Sequence, residues 1–345
     1  MCLVSPLGFM HRKEDYFMNK RALWGIYAPY IRQLIDFKRS LGFKYITEEV
    51  IYSLFDRFTI ELGETEVGIS KALAENWCQR KNNESDSYRF HRGVCISQLS
   101  SYLCKIGIRS FIPRLPQCNT TFTPYIFSKM EIAAIFNASD ELRAQKKMMN
   151  SMLFAMPAIL RLLYATGLRI GEAVVLQNKD VNLTDNFLVI RDSKNGKQRM
   201  IPISESLSAV CKDYVHHRNS LPLFKSEDNY FFVSLNGSNF STDAVYRRFQ
   251  DILKIAGIPF TGNHHGPRLH DLRHTFAVTS LAQMAESGVD LYCTLPILST
   301  YLGHQSLTAT DSYVRLTAEM FPGLLKDVDM VCLNVFPDIT SYEAN

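Results

Sequence analysis

Paired cysteines are what this chain most plainly lacks. Its eight (Cys2, Cys78, Cys95, Cys104, Cys118, Cys211, Cys293, Cys332) lie scattered, with no C-x-x-C and no close pair. That argues against a zinc knuckle and a disulfide scaffold, and it fits a reducing cytoplasm in which most are small core residues. A membrane-length apolar run is also missing. The most apolar stretch, Ser151 to Leu168, is divided by Arg161 into pieces too short to span a bilayer, so it reads as a buried helix. No signal peptide is legible, because His11-Arg12-Lys13-Glu14-Asp15 interrupts the short apolar start; Met18, followed by Asn-Lys-Arg, is an alternative first residue. Internal repeats and low-complexity tracts are absent as well. Net charge is only +4, yet it is unevenly spread. Residues 1–117 carry 17 basic against 12 acidic side chains and the remainder 21 against 22, a modest pointer to a polyanion.

What is present suits two ordinary domains. A chain of 345 residues can bury two cores, and 46% apolar with 21% charged residues is a globular composition. The first third reads as four helices: Ile26–Leu41, with an apolar face at Ile31, Leu34, Ile35 and Leu41 and a stop at Gly42, then Tyr52–Leu62, Lys71–Arg80, and Tyr88–Ile106 before Gly107. Residues 112–124 (IPRLPQCNTTFTP) hold three prolines, so neither helix nor strand runs through them and a linker falls near 112–123. Beyond it the chain is mostly helical. Phe187–Arg191 and Arg199–Ile203 are short β-prone runs, with Asn195-Gly196 between them as a tight turn. The fold expected is mainly α with a small antiparallel β-sheet in the second domain (α+β). Its divisions are a helical domain over 1–117, a second domain over 118–330 and a tail over 331–345.

Four segments of the second domain carry groups suited to phosphate chemistry. In Thr166-Gly-Leu-Arg-Ile-Gly-Glu172, Arg169 and Glu172 stand three apart, so on a helix they share a face; a surface ion pair is the plainer account. Lys194 sits at the tip of the predicted hairpin, where it can reach a neighbouring cleft or simply be solvated, and Lys197 and Arg199 compete for the same role. In Arg268-Leu-His270-Asp-Leu-Arg273-His-Thr-Phe-Ala277, His270 and Arg273 would project from one helical face while Leu269, Leu272 and Phe276 form the core stripe. An arginine there is suited to gripping two phosphate oxygens at once. The last segment is Tyr301-Leu-Gly-His304-Gln-Ser-Leu-Thr-Ala-Thr-Asp-Ser-Tyr313. Nine residues on one straight helix would put His304 and Tyr313 on opposite faces. They can share a site only if the chain bends, and Gly303 with the potential N-cap Ser306 offers that bend. Taken alone, Tyr313 would be an ordinary packing residue.

The order Arg…Lys…His-x-x-Arg…His…Tyr, with TGLRIGE, LHDLRHTFA and LGHQSLTATDSY, resembles the tyrosine recombinase (phage integrase) family over roughly residues 124–316. The N-terminal helices agree with that family's core DNA-binding domain by architecture only. The resemblance implies a site-specific recombinase whose catalytic residues are Arg169, Lys194, His270, Arg273, His304 and Tyr313. Tyr313 would attack the scissile phosphate to give a 3′-phosphotyrosine and a free 5′-hydroxyl, so strands rejoin without ATP. Arg169 and Arg273 would hold the non-bridging oxygens in place of metal ions. Lys194 would protonate the leaving oxygen, His270 would assist proton transfer at the tyrosine, His304 would hydrogen-bond the phosphate and Glu172 would brace the arginine and histidine residues. The resemblance further implies no cofactor and no bound metal. Double-stranded DNA is the partner it implies, paired by a homotetramer to which accessory DNA-bending proteins can be added, with no membrane.

The role expected is integrase or transposase of a mobile genetic element. A chromosome-dimer resolvase of the same family is the alternative; a type IB topoisomerase shares the chemistry but not the LGHQSL…Tyr arrangement. A DNA-binding protein without catalysis would need none of these residues at these spacings. The tail from Phe321 to Asn345, with Leu324, Leu325, Val328 and Val331, is expected to dock on a neighbouring subunit or pack on its own domain.

Overall fold

In the computed structural model, the described residues are 22–115, 123–145, 151–191, 198–220, 229–234, 237–259, 266–289 and 291–304, with residues 310, 313, 316 and 317. They fall into two compact units that divide between Phe122 and Thr123.

The first unit contains α1 (Ala28–Ser40), α2 (Ile46–Glu61), α3 (Lys71–Cys78) and α4 (Asp86–Lys105). Local chemistry fixes their starts. Ser70 and Ser85 accept from the Leu73 and Tyr88 backbone N–H groups at 3.1 and 3.2 Å, capping α3 and α4. Buried Asp56 on α2 accepts from the Trp24 and Gly25 amides at 2.6 and 2.8 Å and so anchors the approach to α1. Ile31, Leu34 and Ile35 point into the core as their spacing predicts. Leu41 does not: the helix ends at Ser40, and the residue beyond its last turn is exposed. Around Trp77 the core is aromatic, with Phe55 meeting it edge-on at 5.3 Å.

The second unit is built around α6 (Ser151–Thr166), the stretch read as a buried helix. Ala155, Met156, Ile159, Leu160 and Leu163 are all buried. Against it pack α5 (Lys129–Gln145), the single turn α7 (Ile170–Ala173), α8 (Glu205–Arg218), α9 (Thr242–Ile255) and α10 (Asp271–Glu286). A three-stranded antiparallel sheet stands beside them in the order β1 (Val181–Asn182), β2 (Phe187–Ile190), β3 (Arg199–Pro202). The alternation of β2 and β3 turns Leu188, Ile190 and Ile201 inward. The two-residue β1 is too short to have shown in the sequence pattern. Arg199 pairs in register with Ile190, at the end of β3 nearest α11 (Leu291–Leu302).

No described helix is long and apolar enough to cross a membrane. Of the described cysteines only Cys95 and Cys211 are buried. Cys78 is half-buried and packed against the core of the first unit, and Cys104 and Cys293 are exposed. The turn Asn195-Gly196, Ser306, Lys194, Lys197 and the tail from Phe321 to Asn345 lie outside the described residues.

Candidate active site

The site is organised by the end of one helix. The last carbonyls of any α-helix lack intrahelical partners and carry the negative end of its dipole. At the end of α11 the chain closes with the Gly303 amide bonded to Thr300 O at 3.0 Å and the His304 amide to Ser299 O at 2.9 Å, a Schellman turn with Gly303 at φ +68°. The next three carbonyls are left for cations, and three arginines take them. Arg199 Nε donates to Tyr301 O at 2.8 Å, Arg273 Nη2 to Leu302 O at 2.8 Å and Arg169 Nη2 to Gly303 O at 3.2 Å. A side chain at Gly303 would be strained by that φ, and its Cβ would stand 2.8 Å from the Arg199 guanidinium. Gly167, at φ +61°, is constrained in the same way: a Cβ would lie 2.5 Å from Phe276, and its carbonyl receives Arg273 Nη1 at 2.8 Å.

Glu172 ties two of these arginines together. Its carboxylate accepts from Arg169 Nη1 at 3.1 Å and from Arg199 Nη1 and Nη2 at 3.1 and 2.8 Å. Arg169 and Glu172 do not share a helical face, as their spacing suggested. Arg169 is the residue before α7, in extended conformation, and Glu172 reaches back to its backbone N–H at 3.1 Å, which closes the helix start. Although burial pushes the Glu172 carboxyl up, the hydrogen bonds and charge of Arg199, then those of Arg169, hold it below the usual range.

His270 stands immediately before α10, and Arg273 lies in its first turn, almost fully buried. Beyond the Gly303 bend, Thr310, Tyr313, Leu316 and Thr317 are helical. His304 Nδ1 meets Thr310 Oγ1 at 2.8 Å, and its ring stacks on Tyr313 with centroids 6.0 Å apart. Tyr313 is 3% exposed, seated with Ala277, Val278, Leu281, Leu298 and Leu302. Its hydroxyl is 2.9 Å from Nδ1 of His274.

The electrostatics follow from three guanidinium groups crowded into a partly dry site. Burial, then the neighbouring Arg169, lowers Arg273 to about 10, so it stays charged at neutral pH. His304 falls to about 4 through burial and the charges of Arg273 and Arg169. His270 also falls to about 4, by burial and then by Arg273, Arg169 and Arg268. Its ring is exposed, so water offsets part of the burial effect and the arginines are the firmer cause. Burial raises the Tyr313 phenol despite the opposing pull of Arg273 and Arg169, which leaves it protonated at neutral pH. The whole is a neutral phenol and neutral imidazoles beside unneutralised guanidinium charge, an arrangement suited to a tetrahedral anion.

Of the six residues singled out in the sequence, five (Arg169, His270, Arg273, His304 and Tyr313) lie around the end of α11 and the start of α10, and Lys194 is outside the described residues. Three participants were missed. Thr310 carries no sequence signal beyond its polarity. Arg199 was weighed only as a stand-in for the lysine, whereas its place is on Glu172 and Tyr301 O. His274 stands four residues after His270, one helical turn on, and that spacing could have exposed it.

Comparison with known proteins gives the family and the fold. The phage integrase family model matches residues 126–320. A Sinorhizobium fredii protein named "Putative integrase/recombinase y4rB" is 30% identical over 302 residues, 87% of this chain and 96% of its own length. "Tyrosine recombinase XerA" of Pyrococcus furiosus is 35% identical over 164 residues, 47% of this chain and 50% of that protein. Among solved structures, the Tn1549 transposon integrase in complex with transposon right end DNA shares the fold with a TM-score of 0.61 at 16% identity, covering 85% of this chain and 99% of that one. The XerH site-specific recombinase bound to its palindromic difH substrate does so with a TM-score of 0.59 at 18% identity, over 80% and 76% of the two chains. The chain belongs to the phage integrase family of tyrosine recombinases.

Proposed function

We propose that this protein cuts and rejoins duplex DNA at specific sites through a 3′-phosphotyrosine at Tyr313, as the integrase or transposase of a mobile genetic element. The observation that carries the reading is the phenol of Tyr313 held beside Arg273 in a pocket rimmed by Arg169, His270 and His304. In the reaction, the tyrosine oxygen attacks the scissile phosphorus and the 5′-oxygen leaves. Arg169 and Arg273 bind the non-bridging oxygens and offset charge as the pentacoordinate transition state forms. Their helix-end carbonyl contacts fix where those charges stand before DNA arrives. His304 and His270 hydrogen-bond the phosphate, and Glu172 braces Arg169. Lys194 on the β2–β3 connection donates the proton to the leaving 5′-oxygen. The phosphoester's energy is kept in the tyrosyl linkage, so neither ATP nor a metal ion is required.

The helical first unit is a DNA-binding domain in this reading, contacting phosphates with its excess of basic side chains. Four copies pair two DNA sites and exchange strands. The mobile-element role is supported by the similarity to a named integrase/recombinase over 87% of this chain and 96% of that protein, whereas the XerA proteins of Pyrococcus furiosus and Pyrococcus horikoshii match over 47% and 66% of this chain.

Incubation with a nicked target duplex, in which the released strand diffuses away, tests the reading. The expected product is an SDS-resistant protein–DNA adduct that forms equally in EDTA and vanishes in Tyr313→Phe while duplex binding persists. An adduct that survives Tyr313→Phe, or one abolished by EDTA, would sink the assignment.

A further inference from the structure

The phenol hydroxyl of Tyr313 is not in contact with the histidine that the sequence nominates for its proton. It meets His274 Nδ1 at 2.9 Å, with the two rings 5.5 Å apart. His270 instead stands edge-on to His274, with ring centroids 4.8 Å apart. On the other edge of His274, Nε2 is 4.0 Å from Oδ1 of Asp271, a residue with no solvent exposure. Asp271 is itself tied down: its Oδ2 accepts the Arg268 backbone N–H at 2.7 Å, and its Oδ1 the Arg268 guanidinium at 3.3 Å. Burial raises the Asp271 carboxyl, and the Arg268 donors on both its oxygens oppose that rise and favour the ionised form.

At 4.0 Å the Asp271 carboxylate is beyond hydrogen-bond reach of Nε2 and acts on the tautomer through its charge. A buried carboxylate facing Nε2 favours the proton there, which leaves the Nδ1 lone pair to accept from the phenol. Resting on the phosphotyrosine reading above, we propose that His274 is the base that takes the Tyr313 phenolic proton, with Asp271 as the positioning residue that orients its ring. As the Tyr313 oxygen–phosphorus bond forms and the phosphorus–O5′ bond breaks, the phenolic proton passes to Nδ1. The resulting imidazolium presents its Nε2–H to Asp271. The departing 5′-oxygen takes its proton from a separate acid on the opposite side of the phosphorus. In rejoining, the 5′-hydroxyl attacks, the tyrosyl bond breaks and Nδ1 returns the proton to the phenolate. Asp271, His274 and Tyr313 thus form a carboxylate–imidazole–hydroxyl series of the kind that activates other weak nucleophiles.

Among the described residues, the charged and titratable groups facing the pair are Arg268, His270, Asp271 and Arg273 at the start of α10, Arg169 before α7, and His304 after α11. Burial and then His270, with the arginines, lower His274 to about 3 in the DNA-free protein, so it stands neutral and able to accept. A phosphate anion bound among those arginines cancels part of their repulsion and strengthens the base when it is needed.

The test is the single-turnover rate of adduct formation on the nicked duplex. Target binding is measured alongside, and Tyr313→Phe serves as the adduct-free control. His274→Ala is expected to slow adduct formation by about 10²–10³-fold at neutral pH, with binding of the duplex retained. Its rate should climb about tenfold per pH unit as hydroxide takes over the base's task. A duplex with a sulfur leaving group at the 5′ position relieves a missing acid but not a missing base, so it should rescue Lys194→Ala and leave the His274→Ala deficit intact. Where alanine weakens binding, His274→Asn decides, because an amide near the Nδ1 position can hold the phenol but cannot take its proton. Asp271→Asn should give a smaller loss with an altered pH profile. Either His274 variant cleaving within about threefold of the parent rate, or its rescue by the sulfur leaving group, overturns the proposal. If the parent forms no adduct, or Tyr313→Phe still forms one, it is the phosphotyrosine reading itself that fails.

Discussion

Among the described residues each unit buries one arginine almost completely, and the two are held in opposite ways. Arg92, in the first unit, is 1% exposed; it donates to Glu84 Oε1 and Oε2 at 2.5 and 2.8 Å, to the Gln79 carbonyl at 3.0 Å and to the Trp77 carbonyl. The same guanidinium lies 5.0 Å from the centre of the Trp77 ring. Its charge is neutralised and its donors are used inward. Arg273, in the second unit, is 2% exposed and donates to two backbone carbonyls, Gly167 and Leu302. Among the described residues no carboxylate pairs with it. A buried charge without a counter-ion is costly, and a fold retains one where a ligand completes it. The contrast teaches that burial alone does not mark a functional arginine; the missing counter-charge does.

The sharpest way to break the comparison is to remove each guanidinium in turn. Arg92→Ala leaves the Glu84 carboxylate, whose side chain is 4% exposed, without its partner. The expected cost is about 3–5 kcal/mol of folding stability, read from denaturant midpoints or hydrogen exchange of the first unit. If the loss is under about 1 kcal/mol, Arg92 is not a structural anchor of the first unit.

Arg273→Met should behave in the opposite sense. Methionine fills much of the volume and removes an unpaired buried charge, so stability should hold or rise. Adduct formation should fall by about 10²–10³-fold, or about 2.7–4 kcal/mol, through the lost grip on the phosphate. A variant that unfolds like Arg92→Ala would erase the distinction between the two arginines.

How far the sequence exposed this contrast differs between the two units. The helices of the first unit were legible from the 3.6-residue spacing of apolar side chains such as Ile31, Leu34 and Ile35, yet nothing in the pattern marked Arg92. Its partners Glu84, Trp77 and Gln79 precede it on another helix and loop, and such pairing depends on tertiary packing. In the second unit the residue types and order around Arg273 were legible, because TGLRIGE and LHDLRHTFA carry flanking residues that agree together. The geometry that holds them was not. That the arginines rest on consecutive carbonyls of Tyr301, Leu302 and Gly303 depends on where α11 ends. That end is set by a left-handed glycine, which the sequence suggested only as a bend. The His274 contact likewise required the second helix to return Tyr313 over α10, a long-range fact that no local spacing encodes.

Acid should separate the two units by a smaller margin. The histidines around Arg273 have folded-state pKa values depressed to about 4 (His270), about 3 (His274) and about 4 (His304), against about 6.5 for an unfolded chain. The unfolded chain therefore binds more protons below that value, and stability rises with pH. Their neutral forms contribute nothing to the pH dependence above about 6.5, and they destabilise the fold progressively as pH falls from there toward the depressed values. Between pH 7 and 5 the burden on the second unit from His274 alone is at most about 2 kcal/mol, its side chain being 16% exposed. The first unit behaves otherwise in this window. Its buried pair depends on Glu84, whose pKa Arg92 holds below the usual carboxylate range against the opposing effect of burial. That contribution is fully present above the unfolded carboxylate pKa and is lost only as pH falls through the lower folded value. Hydrogen exchange from pH 7 to 5 should therefore show amides of α6 and α10 losing protection while those of α2 and α4 keep it. His274→Asn should flatten the trend in the second unit. Equal loss in both units would mean that the unneutralised charge around Arg273 does not depress the histidines, and the contrast between the two arginines would lose its electrostatic basis.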